Sequence, residues 1–237
     1  MAPRRISSDV VLLPSLGRPA SDFDSLAISL TMAGFICHPV EPRRTWEPAP
    51  SLAEIADHVA AYLDSLGIVR AHIIGHAFGN RLARMVAARH PGRVDALVLL
   101  ACGGYVEMDE AIAASLLACF DTALDSSAHL DHVRRAFFAP GNDAAVWATG
   151  WMGEVAAYQR AAVRATRRAE WWDATAGRVL VIQAMQDVIA VPENGRRYDA
   201  DHPEVTLVEI EGAGHAMLPE QPERIASEVL QFLNVAR

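Results

Sequence analysis

The stretch from Ala71 to Leu100 constrains the fold most: an apolar run, two glycines four apart, a helix, then a second apolar run. Ala71–Ile74 has the length and apolar character of a buried strand. Gly75-His76-Ala77-Phe78-Gly79 follows, and Asn80–His90 then carries a helical pattern ended by Pro91-Gly92. Val94–Leu100 is nearly continuous in apolar residues, as parallel strands covered on both faces are. Strand, crossover helix and strand make a βαβ unit, which implies a parallel sheet. The glycines allow a sharp turn from strand to helix, and such a turn holds its central residue, Ala77, in a strained conformation at the top of the sheet.

The same alternation runs through both ends of the chain. Val10–Leu13 predicts a strand stopped by Pro14, Asp22–Ala33 a helix stopped by Gly34, and Phe35–His38 a second strand. A Pro- and Arg-rich loop, Pro39–Pro50, leads to Ser51, which with Glu54 forms a capping-box pattern for a helix ending at Gly67. Strand-like runs vanish between about Tyr105 and Asp173, where Met108–Phe120, Ser127–Phe138 and Asp143–Trp172 are Ala-rich and helical. Alternation then resumes: strand Val179–Ala184, helix Pro192–Asp201, strand Val205–Ile210, helix Pro219–Leu233. The expectation is one α/β domain, residues 1–104 and 174–237, interrupted by a helical cap insertion, residues 105–173.

At 237 residues the chain is long enough to bury a substantial core, and 51% of it is hydrophobic. No apolar run approaches the ~18 residues of a membrane span. The basic start, Met1–Arg5, precedes an apolar run too short for a signal peptide, so a cytoplasmic protein without a membrane partner is expected. Cys37, Cys102 and Cys119 are odd in number and follow no disulfide or metal spacing. A formal charge of −8 argues against a nucleic-acid partner.

Two further residues complete a pattern around Ala77. A strand followed by Gly-x-x-x-Gly and a helix is the setting of a nucleophile elbow, whose partners follow in the order acid, then histidine. Asp187 stands just past Val179–Ala184, and His215 stands in the glycine-containing loop after Val205–Ile210. Both lie where strands end at their C-termini, which is where open α/β sheets bind ligands.

The stretch Gly75–Leu100, together with Asp187 and His215, resembles the α/β-hydrolase superfamily over nearly the whole chain. That resemblance implies a mostly parallel central sheet flanked by helices, with the helical insertion as a cap over the substrate pocket. Pro14-Ser15-Leu16-Gly17 resembles the family's oxyanion loop, so the Leu16 and Phe78 N–H groups would form the oxyanion hole. Three departures stand out: Ala77 replaces the nucleophilic serine, Ser15 replaces a glycine of the oxyanion loop, and the leading antiparallel hairpin is expected to be missing or reduced.

Alanine at position 77 cannot form an acyl-enzyme, so efficient serine hydrolysis by this chain is excluded. Three readings are open: a serine hydrolase whose nucleophile was replaced by engineering, a native variant using the Asp187–His215 dyad as general base, or a pocket that only binds. An enzyme-derived pocket for a small, largely apolar ester, lactone or amide is expected. The alternatives are a catalytically silent small-molecule-binding protein and a dyad-based lyase or isomerase. Substrate-binding candidates are Ser15, His76, Trp151 and Trp172. As substitute nucleophile or base, Ser15 reads better as a turn residue, Cys102 as a small core residue and His76 as a packing residue.

Weaker signals lie in the insertion. Arg160, Arg164, Arg167 and Arg168 share one helix face, which is either solvated or attracts an anionic substrate. Trp147, Trp151, Trp171 and Trp172 concentrate aromatic area there. His129 and His132 lack a third ligand for zinc, and neither a nucleotide motif nor any other cofactor is indicated. A shortened sheet edge makes a homodimer conceivable.

Overall fold

The computed structural model describes residues 8–234; the basic Met1–Arg5 stretch and any hairpin ahead of the first strand lie outside them. Six strands form one sheet: β1 (Asp9–Leu13), β2 (Ile36–Pro39), β3 (Ala71–His76), β4 (Val94–Leu100), β5 (Val179–Ala184) and β6 (Val205–Ile210). Their order is β2-β1-β3-β4-β5-β6, and every pairing is parallel. The helices are α1 (Asp24–Met32), α2 (Leu52–Ser65), α3 (Phe78–Arg89), α4 (Glu110–Ala118), α5 (Ser126–Phe137), α6 (Gly153–Ala165), α7 (Glu193–Asp201), α8 (Met217–Glu220) and α9 (Pro222–Asn234).

Side chains alternate across the sheet and build two apolar layers. Val11, Leu13, Ile73, Leu97 and Leu99 pack with α2 and α3 on one face. Val10, Leu12, Ile74, Val98 and Leu100 pack with α1 and α9 on the other. The central strands are therefore apolar at almost every position, as burial of both faces demands. The expected capping box is present: the Glu54 N–H donates to Ser51 Oγ at 3.2 Å, and the Ser51 N–H donates to Glu54 Oε2 at 2.7 Å.

The connections place the site. From β1 the chain passes outward to β2, then crosses back over β1 to reach β3. The winding direction reverses between β1 and β3, and a crevice opens at the C-terminal ends of those two strands. The loop Pro14–Gly17 follows β1 and the turn at Ala77 follows β3, so both border that crevice.

Helix limits depart from expectation at two places. The Asp143–Trp172 stretch is not one helix: 3-10 turns occupy Ala144–Trp147 and Arg168–Glu170, and only Gly153–Ala165 is α-helical. Gly150 adopts φ 87, and the Met152 N–H donates to the Gly17 carbonyl at 2.9 Å, which holds the chain extended just before α6. The last helix is broken into α8 and α9 at Gln221 because Pro222 disfavours helical geometry in the residue before it. Between β4 and β5 the structure contains α4, α5 and α6, and no strand.

Candidate active site

Ala77 has φ 52 and ψ −106, a conformation costing an L-residue about 1–3 kcal/mol. Steric demands on either side explain why it persists. A Cβ on Gly75 would run into the Gly79 carbonyl, and one on Gly79 into the Leu13 carbonyl. The start of α3 is thus pressed against the end of β1, and only glycine fits at both contacts. The Ala77 N–H donates to the Leu100 carbonyl at 3.0 Å, tying the turn to β4. Asn80 donates through Nδ2 to the carbonyls of Leu100 (3.1 Å) and Ala101 (2.7 Å). Ala101 also has φ 52, a second strained residue that nothing in its local sequence announced.

Asp187 sits in the turn after β5. Its Oδ1 accepts from the N–H groups of Ile189 and Ala190, both at 2.8 Å. Its Oδ2 lies 2.8 Å from His215 Nδ1. A carboxylate only accepts, so Nδ1 carries the proton and a neutral His215 is left with its Nε2 lone pair free. Asp187 is 2% exposed and His215 4%. This pair is buried, oriented and adjacent to the elbow.

The loop bearing His215 is held from three directions. His76, fully buried, has Nε2 2.8 Å from the His215 carbonyl. Burial, helped by the nearby His215, pushes the His76 pKa down to about 3, so the ring is neutral and donates this bond. Glu220 accepts from the Gly214 N–H (2.7 Å), from the Ala139 N–H (2.7 Å) and from Asn142 Nδ2 (2.6 Å). The Ala216 N–H donates to the Phe137 carbonyl at 2.7 Å. Gly214 is required there, since a Cβ would press on the backbone of residues 137–139.

The loop after β1 is clamped by α6 and the segment just before it. The Gly17 N–H donates to Oε1 of the buried Gln159 on α6 at 2.9 Å. Arg18 pairs with Asp22 at 2.9 Å, donates to the Thr149 carbonyl at 2.6 Å and lies over the rings of Trp147 and Trp151. Neither Gln159 nor Glu220 belonged to a recognisable motif. The Gln159 partner is 142 residues away in sequence; of the three Glu220 partners Gly214 is six residues away, but Ala139 and Asn142 are 81 and 78 away, beyond any local signal.

A cavity of about 580 Å³ joins these parts. Ala77, His215, Ser15, Leu16 and Phe78 all line it, with Leu116, Phe137, Val163, Trp171 and Ile189 supplying apolar wall. As the first residue of α3, Phe78 has an N–H that the helix itself cannot satisfy. Among the substrate-binding candidates only Ser15 reaches this space. His76 lies beneath it, Trp151 packs on Phe120, Phe137 and Arg18, and Trp172 packs on Tyr105 and Tyr198. The tryptophan that faces the cavity is Trp171. Arg160, Arg164 and Arg168 also line it, whereas Arg167 turns away to Glu170 at 3.2 Å. Cys102 is fully buried outside the lining. Among the described residues no three His, Cys, Asp or Glu side chains converge as metal ligands, and no helix is long and apolar enough to cross a membrane.

Comparison with known proteins gives a consistent picture. The model of the alpha/beta hydrolase family matches residues 10–228. The RutD protein of Caulobacter vibrioides, which bears the name of a carbamate hydrolase, is 27% identical over 212 residues, 81% of this chain and 76% of that protein. RutD of Caulobacter sp. strain K31 is 36% identical over 81 residues, and that match spans only 28% of its length. Among solved structures, BpoC from Mycobacterium tuberculosis H37Rv, named a non-heme bromoperoxidase, superposes with a TM-score of 0.82 at 20% identity, covering 99% of this chain and 94% of that one. A meta-cleavage product hydrolase from Pseudomonas fluorescens IP01 superposes with a TM-score of 0.79 at 20% identity, covering 97% and 91%. At such identities the structural likeness speaks for the fold.

Proposed function

This chain belongs to the alpha/beta hydrolase family, and from that premise we propose that the Ala77 cavity takes a small ester, lactone or amide and hydrolyses it by general-base catalysis. The buried hydrogen bond of 2.8 Å between His215 and Asp187, beside Ala77, carries this reading. A pocket that only binds has no need of an oriented imidazole with a free Nε2 lone pair.

With alanine at the elbow no acyl-enzyme forms, so the attacking group is water. His215 Nε2 takes a proton from the water as its oxygen adds to the carbonyl carbon. Asp187 holds the ring and stabilises the imidazolium. The N–H groups of Leu16 and Phe78 receive the negative charge that develops on the carbonyl oxygen. Collapse of the tetrahedral species breaks the bond to the leaving group, which takes the proton back from Nε2. General-base assistance of this kind contributes about 10²–10⁴-fold, far less than a nucleophilic serine. Residues 105–173 act as the cap over this pocket in the proposed scheme. The carbamate hydrolase name borne by RutD of Caulobacter vibrioides supports the reaction class.

The test is Ala77→Ser, assayed on p-nitrophenyl butyrate beside the parent chain. A rise of about 10³-fold or more that His215→Ala abolishes is expected. No gain would refute a preformed oxyanion hole. Parent turnover that survives His215→Ala would refute the general-base role.

A further inference from the structure

The chain contains no lysine, so all 21 of its basic side chains are arginine. Many of them meet carboxylates: Arg18, Arg70, Arg89, Arg93 and Arg134 each lie within 2.9 Å of an aspartate oxygen. Four arginines that form no such pair gather on the cavity of Ala77 and His215. They are Arg81, Arg160, Arg164 and Arg168, and among the described residues none has a carboxylate within ion-pair distance.

Separate elements bring them together. Arg81 stands one turn into α3 beyond Ala77 and lies over the Trp171 ring at 5.5 Å. Arg160 and Arg164 stand one turn apart on α6 and project to the same side. Arg168 follows in the next turn, over the Tyr105 ring at 4.6 Å. The cavity's carboxylates are the exposed Glu107 and Glu110, so four guanidinium groups face two carboxylates. Like charges four apart on a helix repel. Burial first, and the neighbouring Arg84 second, pull the Arg81 pKa down to about 10, against a smaller opposing pull from Glu107. A chain of formal charge −8 keeps this local excess of positive charge at the cavity that His215 lines.

We infer that the ligand of this cavity is an organic anion: an apolar segment whose reactive end meets Ala77 and His215, and a carboxylate or phosphate held by Arg160, Arg164 and Arg168, with Arg81 on the elbow side. The inference deepens the hydrolytic reading above and rests on this cavity being the substrate site. It replaces a largely apolar substrate by an amphipathic, anionic one. Guanidinium forks match the oxygens of either anion in bidentate geometry.

Calorimetric titration at low salt tests it, using monomethyl adipate, monohexyl phosphate and the neutral dimethyl adipate. At least one anion should bind about tenfold or more tightly than the neutral diester. The advantage should shrink as salt is raised, and whichever anion binds more tightly identifies the group. The double variant Arg160→Gln, Arg164→Gln should lose about tenfold for that anion and nothing for the diester. Arg135→Gln, removing an exposed arginine of α5 away from the cavity, should change neither. Arg168→Gln, at an exposed position, supplies the same reading should the double variant fail to fold. Neither anion binding better than the diester, or a preference that survives loss of these arginines, would overturn the inference. Binding needs no turnover, so the two ideas fail separately. Neutral esters cleaved by the Ala77→Ser chain without anion preference sink this inference alone. Anion binding by a chain that Ala77→Ser leaves inert sinks the hydrolytic reading alone.

Discussion

Substituting His76 by glutamine and lowering the pH asks whether one imidazole is buried as described. His76 is fully buried, and its Nε2–H donates to the His215 carbonyl at 2.8 Å. Its Nδ1 has no hydrogen-bond partner among the described residues, so a second proton would be placed where no acceptor waits. Burial first, and His215 second, bring its pKa from 6.5 down to about 3. A histidine with a depressed folded pKa takes up its proton more readily when unfolded. Stability from this site is therefore fully present above pH 6.5 and is lost as the pH falls toward 3. Each unit in that window costs about 1.4 kcal/mol, so a drop to about pH 5 removes about 2 kcal/mol. That is a large fraction of the ~5–15 kcal/mol that holds an ordinary domain together. Glutamine keeps an N–H donor for the His215 carbonyl and does not titrate. Urea unfolding followed by tryptophan fluorescence, at about pH 7.5 and about pH 5, gives the stability of both chains. The parent should lose about 2 kcal/mol more than His76→Gln. Other titrating groups are common to both chains and cancel in the difference. Equal losses would refute the buried, neutral assignment.

Two substitutions probe how the site is held. Gly79→Ala drives a methyl group into the Leu13 carbonyl and should cost about 3 kcal/mol or more in urea unfolding, whereas Gly92→Ala, with open space around it, should stay within about 0.5 kcal/mol. A mild cost at Gly79 would show that α3 does not press on β1 as described. Glu220→Ala removes three hydrogen bonds, one to Gly214 in the His215 loop and two to Ala139 and Asn142, and should cost about 2–3 kcal/mol. In the Ala77→Ser background it should also lower kcat on p-nitrophenyl butyrate; unchanged stability and kcat together would remove Glu220 from the support of the dyad.

Sequence alone determined the fold, the tight turn at Ala77 and the places of Asp187 and His215 after their strands, because each of these rests on contiguous residues. Apolar runs such as Val94–Leu100 report burial on both faces of a strand, and Gly75 and Gly79 report a steric demand within one turn. Asp187 and His215 were legible because each follows directly on a strand, and strands of a parallel sheet end together. Only the tertiary structure decided what depends on contacts between distant segments. The break in the Asp143–Trp172 stretch arises where Met152 meets Gly17, and Gln159 and Glu220 gain their roles from partners far along the chain. Trp171 and Trp172 are neighbours in sequence, yet one faces the cavity and the other is drawn away by Tyr198 and Tyr105. The arginine face was visible as a periodicity, but a helix pattern shows only which residues share a side. Whether that side meets water or a ligand is fixed by what packs around it: here Arg81 of α3 lines the same cavity as Arg160, Arg164 and Arg168, and four cations share one space with His215.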